Sequence, residues 1–341
     1  MAKLEHASLL SPLMIHSLKL KNRIVMPPMA FGLSDERGQV TEKMTRHYLE
    51  RCRGLGLLIV EATNVSKSGR MFRKQLDISD ERNVPGFTIL VEALHGQDCR
   101  VAIQLVHAGG AASQDLVDRT LAPSSLMIPE LYNGTPIEMT RRDIDDVVDD
   151  FLYSAGMAKE AGFDGVEVHG AHGYLLNQFL SPLTNLRDDE YGGPTPNRVK
   201  VSLRVVEGIK RELGSGYPVL YRLGAEDILP MGLTLGEGVE VAKLLAQRGV
   251  DVLDVSGGVG TSLGWLDKQG TRGFLIPQAS AVKAAVSVPV IGVGGIKTAA
   301  EADYYITSGK VDLVAVGRAI LKDPLWAEKA VEALSSKREP G

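Results

Sequence analysis

One stretch, Gly162-Phe-Asp-Gly-Val-Glu-Val-His169-Gly-Ala-His172-Gly-Tyr174, shows how this chain is built. Gly162 follows an amphipathic segment, at a place where a helix stops in the left-handed conformation that glycine tolerates. The β-branched run after it predicts a short buried strand at Gly165–Val168. Two histidines and a tyrosine come directly after that strand. Polar groups therefore collect at the C-terminal end of a strand that follows a helix.

The same order of helix, glycine turn and strand recurs along the chain, with further glycine turns at Gly214, Gly249 and Gly309. Apolar β-branched runs alternate with amphipathic stretches about eight times, which is typical of a parallel (β/α)8 TIM barrel. We predict its strands at Ile24–Met26, Leu57–Ala62, Val101–Leu105, Gly165–Val168, Pro218–Arg222, Val252–Val255, Pro289–Val293 and Leu313–Val316. We predict helices at Glu42–Gly54, Gly86–Gln97, Arg141–Ala161, Asn197–Leu213, Gly236–Arg248, Pro277–Val286, Ala299–Ser308 and Leu325–Leu334.

The residues before the first strand, Leu9 to Leu20, predict a short hairpin that closes the bottom of the barrel. No low-complexity linker or change in composition divides the 341 residues. An α/β barrel keeps a single core even at this length. We therefore expect residues 1–341 to form one domain.

Composition excludes several classes of function. With 44% hydrophobic and 23% charged residues the chain can bury a full core, and its net charge of −4 does not favour nucleic acid or an acidic membrane surface. The N-terminus lacks the apolar segment of a signal peptide, and no apolar run is long enough for a bilayer. We expect a cytoplasmic protein. Cys52 and Cys99 show no metal-binding spacing, so reduced buried thiols are expected.

The spacing of His169 and His172 has more than one interpretation. On a helical turn, residues three apart share a face, where both imidazoles could donate hydrogen bonds to one substrate oxygen, with Tyr174 beside them as a proton source. Alternatively, one histidine binds the backbone while the other caps a helix. A metal pair is a third interpretation, although no suitable third ligand is nearby in the sequence.

Glycine-rich loops follow the last two predicted strands. They read Gly292-Val-Gly294-Gly295 and Val316-Gly317-Arg318. Barrels that hold a phosphorylated ligand bind its phosphate at these two loops. Ordinary tight turns are the alternative, although two such loops at the right strands favour a phosphate site.

Several long motifs, in order, resemble those of the Old Yellow Enzyme family of FMN-dependent ene-reductases. They are Leu20-Lys-Asn-Arg-Ile-Val-Met26, Ile103-Gln-Leu-Val-His-Ala-Gly109, the stretch around His169, His172 and Tyr174, Asn185-Leu-Arg-Asp-Asp-Glu-Tyr-Gly-Gly193 and the two glycine-rich loops. The resemblance covers nearly the whole chain. It implies FMN across the barrel mouth, reduced by transiently bound NADPH or NADH and reoxidised by an electron-poor alkene.

The resemblance also implies roles for individual residues. Arg222 would stabilise negative charge at the flavin N1/O2 edge, and Gln104 would offer a donor and an acceptor to the pyrimidine. His169 and His172 would polarise a substrate carbonyl, and Tyr174 would protonate the α-carbon. The implied cofactor-binding residues are Pro28, Met29, Ala30, Ala62, Gln104, His169, Arg222, Gly294, Gly295, Gly317 and Arg318. Trp265, in the loop after the sixth strand, is a candidate wall of the substrate pocket or a surface cap. The expected partners are an enone or enal and further copies of the chain, as a dimer or tetramer.

The chain departs from the family pattern at several positions, two of them after the first strand. The compact bacterial members carry a cysteine after the first strand and a tyrosine two residues later, where this chain has Ala30 and Gly32. Larger relatives add an iron–sulfur cluster and a dinucleotide domain, whereas two cysteines predict a single-cofactor enzyme here. Other functions stay open: an NAD(P)H oxidase, a flavin-binding subunit that depends on a partner, or a metal hydrolase using His107, His169 and His172.

Overall fold

Parallel strands close into a barrel in this protein. The computed structural model describes residues 7–129, 131–259 and 272–336. Its strands, in chain order, are β1 (Leu13–Ile15), β2 (Leu18–Leu20), β3 (Ile24–Met26), β4 (Leu57–Asn64), β5 (Arg100–Val106), β6 (Leu121–Ala122), β7 (Ile137–Glu138), β8 (Gly165–Gly170), β9 (Val219–Gly224), β10 (Val252–Ser256), β11 (Val290–Gly292) and β12 (Leu313–Ala315). Eight of these described strands form the closed order β10, β11, β12, β3, β4, β5, β8, β9. The (β/α)8 barrel predicted from the sequence is confirmed.

Helices lie between the barrel strands close to the predicted positions. They are Glu42–Leu49, Val84–His95, Arg141–Glu160, Leu175–Leu180, Thr195–Arg198, Lys200–Leu213, Leu235–Gln247, Ile276–Lys283, Ala299–Thr307, Arg318–Lys322 and Trp326–Ser335. The predicted helix Asn197–Leu213 is instead two helices that meet at Val199. Pro196 is the second residue of the first of them, in the first turn, where its missing N–H costs no helical hydrogen bond. No helix within the described ranges is long and apolar enough to cross a membrane.

The glycine turns that end the helices have the predicted conformation. Gly162, Gly214, Gly249 and Gly309 all have positive φ, between 71° and 110°. An aspartate follows three of these turns and accepts a hydrogen bond from a backbone N–H at the start of the preceding barrel strand, from its first or second residue. The pairs are Asp164 with Val101 at 2.7 Å, Asp251 with Val219 at 2.7 Å, and Asp312 with Val290 at 2.9 Å. The turn that stops each helix therefore also aligns two neighbouring strands.

The N-terminal hairpin closes the bottom of the barrel, as predicted. β1 and β2 pair antiparallel, with Leu13 opposite Leu20. Leu18 and Leu20 are buried in one apolar cluster with Leu57 and Leu220 of the barrel strands. The hydrophobic lower interior leaves the polar inward-facing side chains to the upper layers, which is the end where barrel enzymes place their sites.

Candidate active site

A cavity of about 240 Å³ lies at the C-terminal ends of the barrel strands. It brings together segments that are far apart in sequence, lined by Pro27–Met29, His172, Arg222, Ser256, Phe274, Leu275, Val293–Ile296, Ala315, Gly317 and Arg318. The loop after β3, the two glycine-rich loops and the ends of β8, β9 and β10 thus share one space. The barrel topology produces this arrangement because all its strands point the same way.

The first glycine-rich loop has backbone angles that favour glycine. Gly294 and Gly295 have φ of 118° and 66°. A Cβ at Gly294 would lie 3.0 Å from the backbone nitrogen of Leu275, so a side chain has no room there. Gly317 precedes the helix Arg318–Lys322, and the Arg318 guanidinium lies 5.9 Å from the centroid of the Phe274 ring. Close backbone approach and an exposed cation suit an anionic group at this end of the cavity.

Arg222 is the buried cation of the site. Its guanidinium donates to Asp254 Oδ2 at 3.0 Å and to Ser256 Oγ at 3.4 Å. Arg222 is only 6% exposed. Its Nε has no hydrogen-bond partner among the described residues. A buried donor of this kind calls for an acceptor.

His169, His172 and Tyr174 come together at the end of β8. The His169 ring centroid lies 5.1 Å from that of His172 and 5.1 Å from that of Tyr174, both edge-on. The interpretation as a helical turn is wrong. His169 belongs to the strand, and the chain then reverses through His172 and Gly173 at φ of 59° and 73°. The rings meet because of this left-handed turn.

Both imidazoles are neutral at ordinary pH. Burial, then His172, then Arg222, hold the pKa of His169 well below its usual value. Burial and then Arg222 lower the pKa of His172 to about 3. His169 Nδ1 accepts from the Ala171 N–H at 3.2 Å, which leaves the ring proton on Nε2. Burial raises the pKa of Tyr174, so its phenol keeps a proton to donate.

Comparison with known proteins identifies the family. A sequence model of the NADH:flavin oxidoreductase / NADH oxidase family matches residues 8–337. The chain is 39% identical over 325 residues to an NADH oxidase of Thermoanaerobacter brockii, covering 93% of the chain and 50% of that protein. It is 37% identical over 339 residues to an NADPH dehydrogenase of Bacillus licheniformis, covering 98% of the chain and 97% of that protein. The solved structure of morphinone reductase in complex with tetrahydroNAD matches with a TM-score of 0.80 and 28% identity, over 96% of this chain and 91% of that one.

The chain belongs to the NADH:flavin oxidoreductase / NADH oxidase family.

This is the family of Old Yellow Enzyme, so the resemblance found in the motifs is confirmed. This flavin oxidoreductase uses FMN, with NAD(P)H as the reductant. The residues present fit that cofactor. Arg222 has a buried N–H without an acceptor, and the glycine-rich loops leave room beside the Arg318 cation. FMN consists of a flavin ring with a phosphate at one end. The ring needs a hydrogen-bond donor such as the Arg222 N–H, and the phosphate needs space beside a cation such as Arg318.

The cavity of this flavin oxidoreductase collects most of the predicted cofactor residues, but some lie around it. Of these residues, Pro28, Met29, Arg222, Gly294, Gly295, Gly317 and Arg318 line the cavity, together with the predicted substrate residue His172. His169 does not line it but lies next to His172, with ring centroids 5.1 Å apart. Gln104 is buried in the layer of Glu167, to which its Nε2 donates at 2.8 Å. The Ala62 carbonyl accepts from Gln75 Nε2 at 3.2 Å, and Ala30 is exposed on the loop after β3. Trp265 lies outside the described residues.

Sequence reasoning assigned no role to Glu61, a fully buried carboxyl of the flavin oxidoreductase. It accepts from the Phe31 N–H at 3.2 Å and from the Tyr48 hydroxyl at 3.1 Å. The loop after β3, which contains Pro28 and Met29, is thereby held against the barrel. Burial raises the Glu61 pKa to about 7. The sequence signal was an acidic residue inside an apolar strand, which is rare unless the residue is partnered.

His107 does not join the other two histidines in a metal-binding group. Its Nε2 lies 3.0 Å from Ser68 Oγ, and its Nδ1 accepts from the Gly109 N–H at 3.0 Å. Burial lowers its pKa to about 3. Within residues 7–129, 131–259 and 272–336, no three His, Cys, Asp or Glu residues are placed to hold a metal ion. Cys52 and Cys99 are buried, unpaired thiols.

Proposed function

We propose that this flavin oxidoreductase reduces the C=C bond of α,β-unsaturated carbonyl compounds with NAD(P)H, in a ping-pong reaction. The observation that carries the proposal is the cluster of His169, His172 and Tyr174 beside the cavity that contains Arg222. Two neutral imidazoles and a protonated phenol are the groups that a developing enolate requires. The cofactor, when bound, supplies the hydride chemistry.

Arg222 and Gln104 serve the cofactor in this proposal. The Arg222 guanidinium stabilises the negative charge that reduction places on the pyrimidine half of FMN. Gln104 presents an amide to the same edge, where its donor and acceptor both find partners. Pro28, Met29, Ala30 and Ala62 contact the ring system.

The phosphate end of the cofactor is held by Gly294, Gly295, Gly317 and Arg318. The glycine backbones approach the phosphate closely, and Arg318 adds a charge-assisted contact.

His169 and His172 bind the substrate. N–H groups of the two rings donate to the carbonyl oxygen and hold it as negative charge develops there. The His172 Nε2 atom lies 2.7 Å from Ser256 Oγ, so the serine hydroxyl orients the ring. Each such donor contributes about 3 kcal/mol to the transition state, the scale measured for single oxyanion donors.

Tyr174 is the proposed proton donor to the substrate. Its phenol would donate a proton to the α-carbon of the substrate. Trp265 is proposed as an apolar wall for the substrate.

Anaerobic turnover tests the proposed function. The purified holoenzyme is mixed with NADPH or NADH and 2-cyclohexenone, and cyclohexanone is quantified. Saturated product formed in step with NAD(P)H consumption supports ene-reduction. NAD(P)H consumption that requires oxygen, without saturated product, contradicts it.

The second candidate is an NAD(P)H oxidase, or a flavin-binding subunit that depends on a partner. It is favoured by the relation to an NADH oxidase of which the chain spans half the length. Hydrogen peroxide formation in air, compared with enone reduction without air, distinguishes the two. A dominant peroxide yield with every enone tested would favour the oxidase.

Three further properties are part of the proposal. Residues 1–341 act as a single FMN-binding barrel domain, the chain forms a homo-oligomer, and it works in the cytoplasm, where NAD(P)H is supplied. Tyr304, Leu321 and Leu325 are large apolar side chains exposed by 55%, 36% and 41%, and burying them would stabilise a dimer. Light scattering on the 36.7 kDa chain tests the oligomeric state.

A further inference from the structure

Two carboxyl groups lie inside the barrel close to Arg222. Glu167 is on β8 and Asp254 is on β10, with β9 between them, and both residues are 0% exposed. Each accepts, through one oxygen, a hydrogen bond from a side chain that has a proposed role in cofactor binding. Gln104 Nε2 donates to Glu167 Oε1 at 2.8 Å, and Arg222 donates to Asp254 Oδ2 at 3.0 Å.

The other oxygen of each carboxyl has no donor. Glu167 Oε2 and Asp254 Oδ1 are buried, and no described N–H or O–H group bonds to either. The two carboxyl groups are within hydrogen-bonding reach of each other. Two adjacent anions in a dry interior repel strongly, whereas one proton between them satisfies both oxygens. The hydrogen-bond pattern therefore requires a proton that belongs to the pair.

The charges nearby decide which carboxyl holds that proton. Asp254 bonds to the Arg222 cation, which favours its anion, whereas Glu167 bonds to the neutral amide of Gln104. His169 and His172, the other titratable groups beside Arg222, are neutral. We propose that Glu167 is a neutral carboxylic acid whose Oε2–H donates to Asp254 Oδ1, and that this pair positions Gln104 and Arg222 at the cofactor edge.

The direction of the pKa shifts agrees with this assignment. Burial first, and then Asp254, hold the pKa of Glu167 well above its usual range, while Arg222 opposes the shift. Burial also raises the pKa of Asp254, and Arg222 and Glu167 both act against that rise. The proton is held more firmly at Glu167.

The pair has a consequence for the cofactor, which rests on the FMN placement proposed above. With Glu167 neutral, the Arg222 cation and the Asp254 anion balance, so the cluster would add no net charge to the cofactor site. An ionised Glu167 would add a negative charge and make reduction less favourable. Glu167 also accepts from Gln104 Nε2, which leaves the Gln104 oxygen and one N–H for the pyrimidine. Glu167 and Asp254 are positioning residues, since neither touches the reacting atoms.

Infrared spectroscopy tests the shared proton without substrate. The holoenzyme is measured at about pH 9, where Glu61, with a pKa of about 7, is ionised. A carbonyl stretch of a protonated carboxylic acid is expected, and it should shift in D2O and be absent from Glu167→Gln. The matched control Glu61→Gln should retain the band. No such band in wild type would overturn the proposal, and so would a band that Glu167→Gln retains unchanged.

Potentiometry tests the link to the cofactor. Glu167→Gln should keep the FMN midpoint potential close to that of wild type, because an amide can donate to Asp254 and accept from Gln104 as the neutral acid does. Asp254→Asn removes the anion beside Arg222, so it should raise the potential by about 30 mV or more, a tenfold change for a two-electron couple. An equal rise in both variants would show that Glu167 is ionised in wild type. No rise in Asp254→Asn would overturn the effect on the cofactor, whether or not enones are substrates.

Discussion

His172, in the turn after β8, is within hydrogen-bond distance of Ser256, at the end of β10: His172 Nε2 lies 2.7 Å from Ser256 Oγ. The same hydroxyl oxygen accepts from Arg222 Nη2 at 3.4 Å. One serine at the end of β10 thus connects the substrate-side imidazole to the cofactor-side cation. The Ser256 hydroxyl can accept from Arg222 and donate to His172, which places the His172 ring proton on Nδ1.

Ser256→Ala should remove the hydrogen bond that orients the His172 ring, and so weaken ligand binding beside it. One lost hydrogen bond is worth about 1 kcal/mol, so the dissociation constant of a phenol bound beside the flavin should rise about fivefold. Titration of the charge-transfer absorbance measures it. The control is Ser280→Ala, on the helix Ile276–Lys283 away from the cavity. Equal binding by both variants would show that the ring is held by other contacts.

His169→Ala and His172→Ala test the substrate site. Each variant should reoxidise with 2-cyclohexenone about 100-fold more slowly than wild type, because one donor to the developing oxyanion is lost. Reduction by NADPH should suffer less, since no oxyanion forms in that step. Tyr174→Phe should have a smaller or substrate-dependent effect, because water can supply the proton. Stopped-flow measurement of the two half-reactions checks this, and equal slowing of both would indicate a structural role for the histidines.

Arg222→Met should lower the FMN midpoint potential and slow reduction by NAD(P)H. The reduced cofactor would lose a cation that is 6% exposed and little screened by water. The shift should be opposite in sign to that of Asp254→Asn, since the two residues form one ion pair at 3.0 Å. Shifts of the same sign in both variants would mean that packing, and not charge, controls the potential.

Arg318→Ala should weaken FMN retention about tenfold or more, because a charge-assisted contact to the phosphate is lost. Lys322→Ala, at the other end of the same short helix, is the matched control and should retain FMN. The dissociation constant is measured by the fluorescence of released flavin. Similar losses in both variants would point to net charge alone.

Glu61 makes the stability of the protein depend on pH. Its pKa is about 7 in the folded protein and 4.5 in its unperturbed form, so the folded state binds more protons between these values. The contribution of the neutral acid is complete below about pH 4.5 and is lost as the pH rises through about 7. Wild type should lose about 3 kcal/mol of unfolding free energy relative to Glu61→Gln over this window. Denaturant unfolding of both proteins with excess FMN, at several pH values, measures it. If the unfolding free energies of the two proteins change with pH in parallel, the prediction is wrong. The pKa shifts of His169 and His172 are present in both proteins, so their effects on stability cancel in the comparison.

The sequence by itself determined the barrel and the positions of its parts. Some features depend only on the local residues, and the sequence therefore predicts them. They include the burial of a strand, the end of a helix at Gly162 and the tight turns at Gly294 and Gly295. The order of the strands then places the residues after each strand at one end, which was sufficient to collect Arg222, His172 and Arg318 around one cavity.

The tertiary structure alone decided how these residues interact. Barrel closure sets the register that pairs Arg222 with His169 on one side and Asp254 on the other. No local pattern records that register. Likewise, only folding shows that His172 turns back through a left-handed residue, or that Glu61, Glu167 and Asp254 lose all contact with water. Protonation states depend on that burial and on neighbours from other strands, so the electrostatics of the site were beyond the reach of the sequence.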